Sequence, residues 1–231
     1  MRLYVEALIR VDPELLWERT QEPSLHQRWD LRFTEIGPLP GGPVGEQRFR
    51  YATRVLPFVT VAGTGTSAGE RQRAGGERVS ALRFASPQRL SLLAEGSGYW
   101  RYVPTCDGVR FLTGYDYRTR WGRFGALTDR LVFRPLMGWA TAWSFDRLRL
   151  WCERGISPAR SLAHAFAEVL VRVAVVGAAL PLGPAAALPA ALAVLLLPPL
   201  PVTPAARRCL RRPPGRTADT APSLLSRLER P

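Results

Sequence analysis

The chain has 231 residues, of which 46% are hydrophobic. Its formal net charge of +13 is the excess of 32 arginines over 19 Asp and Glu residues, and it contains no lysine. Its three widely spaced cysteines and two histidines exclude a disulfide framework and a histidine-rich metal site, and we expect no cofactor. No helix-turn-helix, zinc-finger or RNA-binding pattern accompanies the charge, so we expect no nucleic-acid partner, and its position beside a long uncharged run favours a lipid surface.

The first elements along the chain are a strand and two short helices. Residues 2–11 alternate between apolar side chains, from Leu3 to Val11, and mainly polar ones, which predicts a strand with one buried face. Asp12 and Pro13 then form an N-cap followed by proline at the first helical position. A second short helix is predicted over residues 23–29. Because the N-terminus has no apolar h-region, we expect no signal peptide.

Short extended runs follow, separated by Gly, Pro and Ser at hairpin spacing. They cover residues 31–36, 46–55, 58–65, 79–85, 90–94, 99–103 and 109–120. The last run is the clearest, because its uncharged and aromatic residues alternate with mainly charged ones. One face carries Val109, Phe111, Thr113, Tyr115 and Tyr117. This pattern predicts an antiparallel meander.

Residues 124–153 carry apolar side chains three or four positions apart, which predicts one long helix. Pro135 and Gly138 are expected to kink or interrupt it early. A curved antiparallel sheet with one apolar face needs a cover, and this helix is the only predicted element long enough to provide it. The sequence therefore predicts an α+β domain over residues 1–155.

The order of these elements and several local strings resemble the START/polyketide-cyclase-type superfamily, also called SRPBCC. The strings are VDP at 11–13 followed by LW at 16–17, HQRWD at 26–30, and TDRLVFRPLMGWATAWSFDRLRLW at 128–151. The resemblance implies a helix-grip fold, in which the curved sheet wraps the long helix and encloses a pocket for an apolar small molecule or lipid. It supplies no catalytic signature, because the superfamily ranges from lipid carriers to cyclases.

Aromatic residues on the strands and the long helix are the candidate ligand-binding residues, with plain core packing as their alternative role. They are Phe49, Tyr51, Trp100, Tyr102, Phe111, Tyr115, Tyr117, Trp139 and Trp143. We assign no catalytic residue. His26 and Asp30 lie four positions apart and could form an acid/base pair on a helix, but capping or packing is the more common role for such a pair.

Residues 173–202 contain no charged side chain, and as a straight helix they would reach about 45 Å against a hydrocarbon core of about 30 Å. A turn signal at residues 181–184 divides the run into arms over about 161–180 and 185–197. Arginines flank both outer ends, which predicts a membrane-associated helical hairpin over residues 156–202 with both ends in the cytoplasm. A single span and a shallow re-entrant hairpin are the alternatives.

Two further features lie in this part of the chain. His164, Glu168 and Arg172 follow at spacings of four and share one stripe of the first arm. They form either an intramembrane polar site or, as we favour, the solvated face of an interfacial helix. Residues 203–231 are basic and proline-rich, which predicts a disordered tail with at most a short helix over residues 223–230.

These observations predict a protein of the cell membrane that binds a hydrophobic small molecule or lipid and keeps its N-terminal domain in the cytoplasm. The alternatives are a polyketide cyclase/dehydratase-like enzyme and a membrane adaptor without a cavity. An inward-pointing Asp116, Glu6 or Asp30 with a raised pKa would favour the enzyme. A cavity walled only by apolar and aromatic groups would favour the binding protein. The sequence identifies neither the ligand nor a protein partner.

Overall fold

The computed structural model describes residues 3–41, 46–56, 59–70, 74–89, 91–215 and 220–229. A curved, seven-stranded antiparallel sheet forms its centre. The strands are β1 (Leu3–Ile9), β2 (Glu35–Leu39), β3 (Glu46–Leu56), β4 (Val59–Glu70), β5 (Arg78–Ala85), β6 (Leu93–Thr105) and β7 (Gly108–Thr119). Their order across the sheet is β1-β7-β6-β5-β4-β3-β2. Strands β2 to β7 therefore form the predicted meander, and β1 pairs with β7.

Three predicted strands differ from the structure. The runs at 90–94 and 99–103 belong to one strand, β6, because Gly96 and Gly98 lie within it instead of ending it. Gly96 pairs with Phe84, and a Cβ atom there would lie 2.5 Å from Cζ of that ring. The run at 31–36 is shifted, since β2 begins at Glu35. The predicted starts at residues 58 and 90 lie outside the described residues.

The helices of the domain follow the predicted order. Helices α1 (Pro13–Gln21) and α2 (Pro23–Trp29) come between β1 and β2. The side chain of Asp12 accepts a hydrogen bond from the Glu14 N–H at 2.8 Å, as an N-cap does. The long helix consists of α3 (Gly122–Thr128), a π-helical turn at Asp129–Phe133, and α4 (Arg134–Arg154). The π turn lies directly before Pro135, which confirms the predicted interruption.

The apolar segment forms a helical hairpin. Helix α5 (Pro158–Ala179) ends in a 3-10 turn at Leu180–Leu182, and α6 (Pro184–Leu196) packs against it. Gly183 makes the turn with φ of +90°. The stretch Pro158–Leu182 is a helix long and apolar enough to cross a membrane, and α6 is a shorter apolar helix. The prediction of two arms with a turn at residues 181–184 is confirmed.

The chain packs back onto the domain after α6. Leu210 pairs with Glu6 of β1 through two backbone hydrogen bonds of 2.9 Å. The fully buried carboxylate of Asp146 on α4 accepts hydrogen bonds from the Ala205 N–H at 2.7 Å and the Arg208 guanidinium at 2.8 Å. The prediction of a disordered tail is therefore wrong for residues 203–210. The tail's residues 216–219 and 230–231 lie outside the described residues.

Both ends of the hairpin join the same domain. At its start, the Pro158 carbonyl accepts a hydrogen bond from Arg147 of α4 at 2.9 Å. At its end, the Cys209 thiol donates to the carbonyl of Ala142, also on α4, at 3.2 Å. A single span would place these two ends on opposite sides of a membrane. The packing of both ends on one domain therefore argues against the single-span alternative.

The two faces of the sheet have different covers. On the inner face, α4 packs over β1, β6 and β7, where Phe145 stacks on Phe111 with ring centroids 4.5 Å apart. On the outer face, the short helix α7 (Ser223–Glu229) buries Leu224 and Leu225 against the sheet. A short helix over residues 223–230 was the one element expected in the tail. Helices α1 and α2 lie over the remaining part of the inner face, at β3 to β5.

Candidate ligand-binding cavity

A cavity of about 670 Å³ lies between the inner face of the sheet and helices α1 and α2. This volume is within the usual range of small-molecule sites, about 300–1,000 Å³. Its apolar lining consists of Pro23, Ile36, Pro38, Leu39, Phe49, Leu82 and Trp100. Its polar lining includes Gln21, Ser24, His26, Gln27, Arg48 and Ser80. The lining is therefore mixed and not walled only by apolar and aromatic groups.

Glycines on β4 shape the aromatic wall of the cavity. Phe49 and Tyr51 of β3 pair directly with Gly65 and Gly63 of β4. A Cβ atom on Gly65 would lie 2.4 Å from Cζ of Phe49, and one on Gly63 would lie 2.4 Å from the Tyr51 hydroxyl. Each ring therefore lies across the space of a missing side chain. Sequence reasoning missed this pairing because a single sequence does not display the register between two strands.

Two of the nine candidate residues, Phe49 and Trp100, line the cavity. A third, Tyr51, lies behind Phe49 with ring centroids 6.5 Å apart, and burial raises its pKa to about 12. A fourth, Tyr102, is fully buried under the cavity floor, where Thr20 and Gln21 hold its hydroxyl at 2.7 and 2.9 Å. Burial raises the pKa of Tyr102, so its hydroxyl stays neutral.

The other five candidates lie along β7 and the long helix and do not line this cavity. Phe111 is a core residue under Phe145. The hydroxyl groups of Tyr115 and Tyr117 are used by the helix, since they hydrogen bond to Thr141 at 3.1 Å and Asp129 at 2.5 Å. Trp139 and Trp143 stack on each other with centroids 6.2 Å apart, Trp139 being exposed.

A polar group lies at the floor of the cavity. The Ser80 hydroxyl donates to Oε1 of Gln21 at 3.0 Å, and Nε2 of Gln21 donates to the Tyr102 hydroxyl at 2.9 Å. Both Ser80 and Gln21 line the cavity. Their oxygen atoms have remaining lone pairs and can accept hydrogen bonds from a ligand. The arrangement offers a polar anchoring point at the floor of a cavity whose walls are partly apolar and partly polar.

His26 and Asp30 meet, as their spacing of four residues allows. Nε2 of His26 lies 3.1 Å from Oδ2 of Asp30, and its ring packs 4.9 Å from that of Trp100 at the cavity wall. Arg32, which sequence reasoning did not include, binds the same carboxylate at 2.9 and 2.6 Å. Burial alone would raise the pKa of Asp30, but Arg32 and His26 hold it well below its usual range.

The carboxylates that could have indicated an enzyme do not fit that role. Asp30 has a lowered pKa, not a raised one. Burial acts to raise the pKa of Glu6, but hydrogen bonds from Arg110 at 2.8 and 2.9 Å and from Tyr4 lower it. Asp116 is exposed. In the described part of the chain, no three His, Cys, Asp or Glu side chains cluster as metal ligands.

The polar stripe on α5 binds the returning chain. Arg172 donates to the carbonyl groups of Leu197 and Pro198 at 3.1 Å each, at the C-terminal end of α6. Glu168 pairs with Arg172 and accepts from the Leu200 N–H at 3.1 Å. His164 lies 3.3 Å from the Val202 carbonyl. The stripe therefore closes the base of the hairpin, and the favoured prediction of a solvated face is wrong.

Comparisons with known proteins agree with this architecture. No protein-family profile matches the chain. It is 48% identical over 170 residues to an uncharacterized membrane protein of Bacillus subtilis strain 168, YndG, and the match covers 73% of this chain and 63% of that protein. The chain therefore spans less than two thirds of the length of that relative.

One solved structure shows the fold, and a second is similar to a lesser degree. The crystal structure of the protein TTHA0849 from Thermus thermophilus matches with a TM-score of 0.50 and 15% identity, covering 66% of this chain and 99% of that one. A STAR-related lipid transfer protein from Xanthomonas axonopodis matches with a TM-score of 0.49 and 15% identity, covering 66% and 86%. The chain thus shares a helix-grip-like fold with TTHA0849, in which a curved antiparallel sheet packs on a long helix, and an apolar helical hairpin follows it.

Proposed function

We propose that the protein binds an apolar or amphipathic small molecule, such as a lipid, in its helix-grip cavity, and that the hairpin holds this domain at a membrane surface. The observation that carries the proposal is the cavity of about 670 Å³ between the sheet and α1–α2. Its mixed lining, with apolar side chains such as Phe49 and Leu82 beside polar ones such as Gln21 and Ser80, fits a ligand that has an apolar part and a hydrogen-bonding part.

The hairpin supports the membrane part of the proposal. Its large apolar side chains point into solvent, and Leu182 and Leu195 are 74% and 81% exposed. Contiguous apolar surface of this kind is rare on soluble monomers. The similar Bacillus subtilis protein is described as a membrane protein, which agrees with a bilayer as the cover of this surface.

A second candidate function is acid/base chemistry on the bound ligand. One observation favours it, because His26 lines the cavity while Asp30 holds its Nε2 atom at 3.1 Å. A carboxylate that orients a histidine is a common arrangement for a general base. In that case a His26→Gln variant would retain a ligand that the native protein converts, and the masses of the two retained molecules would differ.

Native mass spectrometry of the full-length protein in mild detergent, followed by organic extraction, tests the binding function. We expect one class of apolar molecule to be retained. A Leu82→Trp variant should lose it, because the indole would fill the cavity. The matched control is Arg83→Trp, since Arg83 is the exposed neighbour on the same strand. Equal retention by both variants, or an empty native protein, would contradict binding in this cavity.

A further inference from the structure

A second exposed apolar surface lies on the N-terminal part of the long helix. It is formed by large side chains that are each between 45% and 68% exposed. We call it the α3–α4 stripe; its members are Trp121, Phe124, Leu127, Leu131, Leu136 and Trp139. Elsewhere on the same helix, Gly125, Asp129 and Gly138 are buried. The helix is therefore amphipathic with its apolar stripe facing outward, the reverse of what a core helix requires.

The charges beside the α3–α4 stripe are positive. Arg123 and Arg130 are exposed, and neither forms an ion pair with any residue that the structure describes. Asp129 is the one acidic residue between Trp121 and Trp139, and it is buried. Its carboxylate is occupied by the Tyr117 hydroxyl at 2.5 Å and by Arg134 at 3.0 Å. The exposed surface thus combines apolar side chains with two free guanidinium groups.

We propose that the α3–α4 stripe lies on the surface of an anionic lipid bilayer. Helices with Trp, Phe and Leu on one face and arginine beside them bind in the plane of the membrane interface. Trp121 and Trp139 lie at the two ends of the stripe, and tryptophan prefers the headgroup level. A second copy of this chain fits less well, because Arg123 and Arg130 of both copies would repel each other.

The proposal rests on the proposed membrane function, since the hairpin would bring the domain to the bilayer. Helix α4 has 21 residues, and it separates the stripe at its N-terminal end from the hairpin, which begins just beyond its C-terminal end. The near end of the stripe, Trp139, lies 15 residues before Arg154 at the end of α4, which at about 1.5 Å per residue is about 22 Å. Two bilayer contacts this far apart would hold the domain along the membrane, whereas the hairpin alone would let it pivot.

Spin labelling of the full-length protein tests the stripe. A nitroxide is attached to Leu131→Cys in a Cys106→Ser background, and the protein is reconstituted in phosphatidylcholine vesicles that contain phosphatidylglycerol. We expect the label to lose most of its collisions with a water-soluble nickel complex and to gain collisions with oxygen. A label at Arg83→Cys, exposed on β5, serves as the control and should remain accessible to nickel.

Charge reversal provides the second variant. Arg123→Glu together with Arg130→Glu should restore nickel collisions at the 131 label, whereas reversal of the exposed Arg50 and Arg54 on β3 should not. Flotation of each sample with the vesicles reports the hairpin contact separately. Suppose that a sample floats with the vesicles but its label at position 131 is as accessible to nickel as the control label. That result would overturn the stripe proposal and leave the proposed hairpin contact intact. Dipolar broadening between labels on two molecules would show that a second copy of the chain covers the α3–α4 stripe. That result would also overturn the stripe proposal.

Discussion

At the scale of single residues, the cavity depends on a buried ion pair that supports its wall. Asp30 has no exposed side-chain surface, and Arg32 donates three hydrogen bonds to it, two from its guanidinium and one from its backbone N–H. The spacing of His26 and Asp30 in the sequence predicted their contact. Arg32 was not predicted as a partner, because it lies beyond the end of α2, where helical spacing gives no guidance. The pair orients His26 at the cavity.

Replacement of Asp30 by Asn should lower the free energy of unfolding by about 3 kcal/mol, because it leaves the buried Arg32 guanidinium without its counter-ion. Denaturant titration in detergent would measure the change. Asp107→Asn is the matched control, since Asp107 is exposed, and its effect should stay within about 0.5 kcal/mol. Equal stability of the two variants would show that the ion pair contributes little.

The same carboxylate should make the stability depend on pH in the acid range. Its folded pKa lies below the ordinary value of 3.8 because Arg32 and His26 outweigh the opposing effect of burial. As pH falls below about 4, the unfolded chain binds a proton at Asp30 before the folded chain does. The stabilisation is therefore present above that pH and is lost below it. Thermal melting from pH 6 to pH 3 should show a shallower loss for Asp30→Asn than for the native protein.

Gly65 should be intolerant of any side chain, because its Cβ atom would lie 2.4 Å from the Phe49 ring. We expect Gly65→Ala to cost about 1–3 kcal/mol by overpacking and to reduce ligand retention, since the displaced ring must move within the cavity wall. Gly37 on β2 has no atom within 4 Å of such a Cβ, so Gly37→Ala is the control. A Gly65→Ala protein with native stability and full retention would refute this role.

At the scale of elements, the sheet, the long helix and the hairpin could be predicted from the sequence. Each has a regular spacing of apolar residues or a recognisable cap or turn at its end. Alternation over residues 2–11 predicted β1, and Asp12 with Pro13 predicted the start of α1. Gly96 and Gly98 misled the prediction of β6, because a glycine that pairs with an aromatic ring cannot be told from a turn glycine without the register. Register depends on contacts between strands, which a single sequence does not display.

The depth of the hairpin follows from where its arms leave the domain. Helix α5 packs against the core as far as Ala165, so the stretch from Phe166 to Leu182 reaches about 25 Å. The charged pair of Glu168 and Arg172 lies within it, and the uncharged part beyond Arg172 reaches only about 15 Å. A hydrocarbon core is about 30 Å thick. We therefore expect the hairpin to enter one leaflet, as a re-entrant element.

Maleimide labelling would test this depth in two separate preparations of sealed vesicles, one right-side-out and one inside-out. Leu182→Cys in a Cys106→Ser background should react from neither side until detergent is added. Native Cys106 is exposed and should react from one side, which makes it the positive control. Burial raises the pKa of Cys152 to about 11 and of Cys209 to about 12, so these thiols should stay protonated and slow to react. Labelling at position 182 from the side opposite to Cys106 would instead show a complete crossing.

At the scale of the whole molecule, the chain beyond the hairpin completes the domain. Ala206 and Cys209 belong to the same buried core as β1 and α4. The sequence did not predict this, because a segment rich in proline and arginine has the composition of a disordered tail. Its partner, Asp146, falls among other charged residues in the sequence of α4 and gives no sign that it is fully buried. The role of Asp146 in binding the returning segment therefore becomes visible only in three dimensions.

Arg208 should be the residue that ties the hairpin to the domain. It donates to Asp146 at 2.8 Å and to the carbonyl groups of Thr203 and Leu200 at 2.6 and 2.8 Å. We expect Arg208→Ala to lower the free energy of unfolding by about 1.5–3 kcal/mol, the usual value for hydrogen bonds to a charged group. Hydrogen exchange should then accelerate at residues 203–210 and at Glu6, whose backbone pairs with Leu210.

Arg207 provides the matched control for that experiment, because it is the exposed neighbour of Arg208 in the same 3-10 turn. Arg207→Ala should leave both the stability and the exchange at Glu6 unchanged. If the two variants behave alike, the returning segment is held by its apolar contacts and not by the Asp146 network. If only Arg208→Ala loosens β1, the hairpin and the ligand-binding sheet are joined through a single buried carboxylate, so that force on the hairpin in the bilayer would reach the sheet edge directly.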